Sequence, residues 1–280
     1  MISELCIFDL ATGEARVVLR HEGHIEAPNW APDGRALVVN GGGRLYRVDL
    51  DRPALDPIDT GSLRQLNNDH GSSPDGRWLA VSDKTETGAS CIYVLPVEGG
   101  TPRRVTRRVP SWWHGWSPDG RRLIYAGVRR EGGPVSVLTC DVESGEETLV
   151  TDAFDHCDGP EMTPDGRWIW FNGERAGRVD LWRVRPDGTG LERMTTGDTV
   201  DWFPHPSPDG NWVVFLAYPP GTEGHPPDLP VSLMILPADG GTPRPLIRFR
   251  GGQGTINVPP WAPDSRRFAF MRYPEVASGS

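Results

Sequence analysis

One short phrase, repeated six times, limits what this chain can fold into. It reads Trp30-Ala31-Pro32-Asp33-Gly34-Arg35, Ser73-Pro74-Asp75-Gly76-Arg77, Trp116-Ser117-Pro118-Asp119-Gly120-Arg121, Thr163-Pro164-Asp165-Gly166-Arg167, Ser207-Pro208-Asp209-Gly210-Asn211 and Trp261-Ala262-Pro263-Asp264-Ser265-Arg266. Proline pre-sets the first corner of a turn, aspartate caps it, and glycine supplies the positive φ of the exit. A short apolar run follows each turn, such as Ala36-Leu37-Val38-Val39 or Trp212-Val213-Val214-Phe215-Leu216, and predicts a strand. The prolines are spaced by 42, 44, 46, 44 and 55 residues. Short strands at that period predict an all-β fold, a six-bladed β-propeller.

Six such units use nearly all of the 280 residues, so residues 1–280 are expected to form a single domain. Each blade needs four antiparallel strands, with the Pro-Asp-Gly turn joining the innermost to the second. Second strands are expected at 35–40, 78–83, 122–127, 168–172 and 212–218, and third strands at 44–50, 90–97, 135–141, 179–185 and 231–237. Fourth strands are expected at 62–66, 103–107, 147–151, 191–195 and 244–248. Residues 2–10 and 14–19 resemble a third and a fourth strand, whereas 257–262 and 267–272 supply a first and a second. The last blade is therefore expected to be closed by two strands from each terminus, which removes an open sheet edge. The proline-rich insert 219–230 makes the fifth unit longer and semi-rigid.

Lys and Arg number 29 against 38 Asp and Glu, a net charge of −9, which argues against nucleic acid as a partner. The basic run Arg103-Arg104-Val105-Thr106-Arg107-Arg108 fits a solvated outer strand. No apolar stretch is long enough for a membrane span. The start carries no secretory signal pattern, and Cys6, Cys91, Cys140 and Cys157 show no paired spacing. These features lead to an expected cytoplasmic location, or a periplasmic one if a leader has been removed. Gly251-Gly252-Gln253-Gly254 has no helix behind it, so no nucleotide cofactor is expected.

Connections from fourth to first strands, and from second to third, emerge at the end of the ring opposite the Pro-Asp-Gly turns. Five of the seven histidines, His24, His70, His114, His156 and His205, fall in or beside the former connections, and His225 falls in the insert. His70 and His114 lie four residues before the turn proline; Asn29, Glu161 and His205 lie three before. On innermost strands these residues are expected to converge on the channel mouth, with Glu26, Asp69, Asp155, Asp158, Asp201, Gln253 and Asn257. His70, His114, His156 and His205 are the expected ligands of a divalent metal, Mn, Zn or Fe. His156, Glu161 and His205 are the expected proton-moving groups of a lyase or hydrolase acting on a carbohydrate. Trp112, Trp113, Trp202 and Phe203 offer a stacking wall for a sugar ring. Cys157 is a further nucleophile or ligand candidate. Trp30, Trp116 and Trp261, at one aligned position, are expected to pack between blades. A protein or peptide gripped by the same loops is the alternative to a small polar ligand.

The six phrases, the Asp/Glu-Gly-Gly-Thr turns and the Met194-Thr195 strand ending resemble the propeller repeats of the TolB family. More weakly, the chain is similar to oligogalacturonate lyases. The first resemblance implies a propeller and leaves activity open; the second implies a manganese site of histidines and a glutamine.

Overall fold

Each Pro-Asp-Gly phrase closes as a hydrogen-bonded turn. In the first, the Gly34 amide donates to the Ala31 carbonyl and the Ala31 amide to the Ala36 carbonyl, both at 2.9 Å, while Asp33 Oδ1 accepts from the Arg35 amide. The glycines hold φ near +70°, a conformation that costs other residues steric strain. The sixth phrase puts Ser265 in that place at φ 58°. Its hydroxyl accepts from the Asp209 amide at 2.9 Å, so the substituted turn is tied to the neighbouring one. Ser73 and Arg77 bond the Asp75 carboxylate and draw its pKa down to about 2. The aspartates of these turns serve the turns.

The computed structural model describes residues 1–275 as an all-β propeller. One four-stranded antiparallel sheet holds Glu26–Trp30, Ala36–Gly41, Arg44–Asp49 and Asp56–Pro57. A second holds Leu66–Ser72, Trp78–Asp83, Cys91–Pro96 and Arg103–Arg104, and a third Val200–Pro206, Trp212–Tyr218, Leu229–Pro237 and Arg244–Gly251. An eight-stranded sheet runs from Ser111–Trp116 to Glu192–Arg193. Its two halves are joined by a single parallel residue pair, Val135 with His156. The termini meet as expected: Ile2–Asp9 pairs with Glu14–Glu22 on one side and with Arg267–Arg272 on the other. Arg272 Nε donates to Glu4 Oε2 at 2.6 Å across that closure.

Two strand expectations are corrected. The outer strand of the first sheet is Asp56–Pro57, not 62–66. Leu63 is buried in the core beneath the sheet, and Leu66 already begins the next innermost strand. Pro57 sits at the outer edge of the sheet, where a strand tolerates proline. Residues 257–262 form no strand beyond the isolated bridge of Trp261 to Phe268. Pro259 and Pro260 lack the amide hydrogens that a ladder requires.

The five innermost strands share one irregularity, a break in register midway along. It falls between Glu26 and Asn29, Leu66 and His70, Trp113 and Gly115, Asp158 and Glu161, and Trp202 and His205. Ala27 and Phe203 take φ 55° there and Gly159 takes 57°. A bulge inserts a residue and re-aims the side chains beside it. In this ring the bulges divide the channel into two ends.

Trp116 and Trp261 pack between neighbouring sheets as expected, their indoles donating to the Gly71 and His205 carbonyls. All four cysteines are free and buried. Among the described residues no helix is long and apolar enough to cross a membrane.

Candidate functional site

Above the bulges, at the end away from the turns, lies a polar pocket of about 430 Å³. Its wall is built by position. The residue six before the turn proline is Glu26, Asn68, Trp112, Asp158, Trp202 or Asn257 in the six units, and all but Trp202 line it. Asp69, His114, His156, Phe203, His225, Gln253, Asn67, Lys84 and Val135 complete it. Carboxylates, amides, imidazoles and one ammonium thus face two rings, Trp112 and Phe203.

Hydrogen bonds tie several of these side chains to one another. Asn68 Nδ2 donates to Glu26 Oε2 at 3.2 Å, and Asn67 Nδ2 to Asp69 Oδ2 at 2.5 Å. Gln253 Oε1 accepts from Asn257 Nδ2 at 3.0 Å and also contacts His225 Nδ1. An amide oxygen only accepts, so His225 carries its proton on Nδ1. His24 stacks on Tyr273 and lies 3.4 Å from Glu26, whose hydrogen bond raises its pKa.

His114 joins the two halves of the wall. Its Nδ1 faces the Asn257 carbonyl at 3.3 Å and its Nε2 lies 2.9 Å from Asp158 Oδ1. Burial alone would lower its pKa, but Asp158 and Asp69 overcome that and the imidazole is raised. The Nε2–Asp158 approach lacks the alignment of a hydrogen bond, so it is the charge of Asp158 that favours the imidazolium. Against the penalty of burial, His114, His225 and His156 hold Asp158 far below the usual carboxylate range. Asp69 behaves oppositely: burial, with repulsion from Asp158 and Glu26, pushes it up to about 7 despite His114. One carboxylate stays ionised while its neighbour exchanges a proton near neutrality, the division that acid–base chemistry requires.

The expected residues divide between the two ends. Glu26, Asp69, His114, His156, Asp158, His225, Gln253 and Asn257 line the polar pocket. Asn29, Trp113 and Glu161 do not; they line a second cavity, of about 410 Å³, at the turn-bearing end. Asn29 and Glu161, three residues before the turn proline, lie beyond the bulge and so at the turn-bearing end, and Trp113, five before its proline, lines the same cavity. His205 is 1% exposed and lines neither cavity. Its Nδ1 meets Glu161 Oε2 at 2.6 Å and its Nε2 meets the Ile256 carbonyl. Asp155 is exposed and accepts from the Ala176 amide, and Asp201 is buried, pushed up to about 6 by that burial. Trp202 stands behind the wall, its ring 4.4 Å from that of His225.

The expected metal ligands do not assemble. His70 is fully buried, its Nδ1 has no partner, and burial lowers it to about 4. His114 and His205 are each taken up by a carboxylate and a carbonyl, and only His114 and His156 face the pocket. Among the described residues no three His, Cys, Asp or Glu side chains are grouped to hold a metal ion. Cys157 is buried beside the wall with its thiol pKa pushed up by burial, unlike a nucleophile. Sequence reasoning missed Asn67, Asn68, Lys84 and Val135 as wall residues. The legible signal was the position six before the proline, polar in four of six units.

A ring of short antiparallel sheets around a central channel, with a polar pocket at one mouth, defines a β-propeller. The family model described as the TolB beta propeller domain, PD40, matches residues 2–160, and the chain belongs to that family. An uncharacterized protein of Agrobacterium fabrum, Atu1656, is 47% identical over 274 residues, covering 98% of this chain and 93% of that protein. A solved structure from Agrobacterium tumefaciens, provisionally called TolB, superposes with TM-score 0.95 at 47% identity over 99% of both chains. Tol-Pal system protein TolB of Francisella tularensis is 25% identical over 93% of this chain, which spans 59% of that relative's length. An oligogalacturonate lyase in complex with manganese shares the fold, with TM-score 0.57 at 16% identity over 91% of this chain and 69% of that one.

Proposed function

We propose that the polar pocket binds a small, neutral, polyhydroxylated ligand of carbohydrate type. The observation that carries this reading is the convergence of acceptors and donors from the inner strands on one cavity beside Trp112 and Phe203. Hydroxyl groups both donate and accept, which suits fixed pairs such as Asn68 with Glu26 and Asn67 with Asp69. Trp112, half-buried, gives a ring face for the apolar side of a sugar. His114 and Lys84 balance the Glu26 and Asp158 carboxylates and burial favours the neutral form of Asp69, so the wall suits an uncharged ligand. Asp69 is the group that would move a proton during turnover, with Asp158 and His114 fixing its charge. A metal forms no part of this reading.

The reading takes the scaffold as a single domain of six blades, the eight-stranded sheet counting as two, because each half carries its own turn phrase and innermost strand. Nothing in the comparisons supports the cytoplasmic placement. A second reading, a non-catalytic scaffold that grips a protein at the same mouth, is favoured by the alignment with Tol-Pal system protein TolB over 93% of the chain. Ligand-observed NMR against neutral mono- and disaccharides separates the two. A sugar ligand should bind saturably and weaken about tenfold or more in Trp112→Ala and Asn68→Ala. Silence across the panel rejects the sugar.

A further inference from the structure

We propose that the turn-bearing end of the channel is a second ligand site, and that it takes a small organic cation. Its cavity, about 410 Å³, is walled by the six turn prolines and by Trp30, Trp113, Trp116 and Trp261. One ionisable side chain lines it, Glu161. A lone carboxylate in an apolar, aromatic wall is costly unless a positive group faces it.

His205 meets only part of that demand. A carbonyl oxygen accepts and cannot donate, so the contact with the Ile256 carbonyl places a proton on Nε2. Nδ1 is then the nitrogen that faces Glu161 Oε2, and the pair shares one further proton. The imidazole lies behind the carboxylate, buried and away from the cavity. Among the described residues the other oxygen, Glu161 Oε1, takes no hydrogen bond. The pair therefore presents its negative end to the cavity. Burial raises the Glu161 pKa against the pull of His205, and a cation in the cavity would favour the ionised form.

The walls select among cations. A bare metal ion needs several free oxygen donors, but Asn29 is occupied at both ends of its amide, by the Pro259 carbonyl and the Ser72 amide. Ser73 is likewise spent on Asp75 and the Trp78 amide, and among the described residues Ser72 Oγ, a single oxygen, is left without a partner. An ammonium with an apolar skin fits instead, held by aromatic walls and one carboxylate. The site is separate from the polar pocket, so either assignment can fail without the other.

Choline is the probe and dimethylbutanol, its neutral carbon isostere, the control, each titrated into wild-type protein with tryptophan fluorescence and calorimetry as readouts. Saturable choline binding is expected, with the alcohol at least about tenfold weaker. Glu161→Gln should remove the preference for choline. Met162→Lys, a half-buried change in the same wall, should abolish binding by placing an ammonium beside Glu161 and serves if Glu161→Gln fails to fold. Asp69→Asn, in the other pocket, should bind choline as wild type does. No saturable choline binding, equal binding of the alcohol, or unchanged binding by a folded Met162→Lys overturns the proposal.

Discussion

The two ends of the channel are made from the same five inner strands and the irregular segment 257–262, yet they differ in nearly every physical property. At the turn-bearing end the wall consists largely of residues that recur from unit to unit, the turn prolines and the tryptophans two before them. At the other end much of the wall comes from a position that varies among the units: Glu26, Asn68, Trp112, Asp158 and Asn257. The bulge in each inner strand is the boundary. What the repeat keeps builds turns and packing between sheets, and what it varies supplies unlike side chains to one pocket. Glu161 breaks the pattern, as the sole ionisable group among the described residues lining the repetitive end.

The largest energetic contrast concerns Asp69. Its folded pKa of about 7 lies above the unfolded value of about 3.9. The fold therefore prefers the protonated acid. The associated stability is full below pH 4 and is lost as pH rises through 7. Asn mimics the neutral acid and keeps an oxygen for Asn67. Asp69→Asn should be more stable than wild type by on the order of 2 kcal/mol at pH 8, with the gap closing at pH 4. Urea unfolding at the two values checks this; an equal gap at both would break the electrostatic account of the polar end.

The repetitive end should show packing losses without pH dependence. Trp261→Phe removes the indole donor to the His205 carbonyl, 2.8 Å away, and should cost about 1–2 kcal/mol at any pH between 5 and 8. A strongly pH-dependent loss would mean that the Glu161–His205 pair, and not the scaffold, depends on this tryptophan. Smallest of all is Ser265→Gly. It relieves a positive φ but gives up the bond from the Asp209 amide, so the melting free energy should move by less than about 0.5 kcal/mol.

The scaffold was legible because the turn phrase is short, local and repeated, and its hydrogen bonds need only neighbours in sequence. The closure of the ring by both termini was legible for the same reason, since residues 2–9 and 267–272 carry strand patterns that lack their partners. Asp56–Pro57 was missed because pairing at an outer edge depends on the adjacent strand more than on propensity. The site was half legible. His114, His156 and His225, read from the connections, line one polar pocket, but His205 and Glu161 are carried past it by a bulge, a feature without a fixed letter code. His70 failed as a ligand because its ring is buried, with Nε2 3.4 Å from the Val38 carbonyl.

Calorimetric titration of the neutral saccharide panel into wild type, Trp112→Ala and Met162→Lys tests the assignment of the polar mouth most directly. Saturable binding that is lost in Trp112→Ala and kept in Met162→Lys is the predicted result. Binding that survives Trp112→Ala, or that Met162→Lys removes, would place the sugar elsewhere and contradict the account.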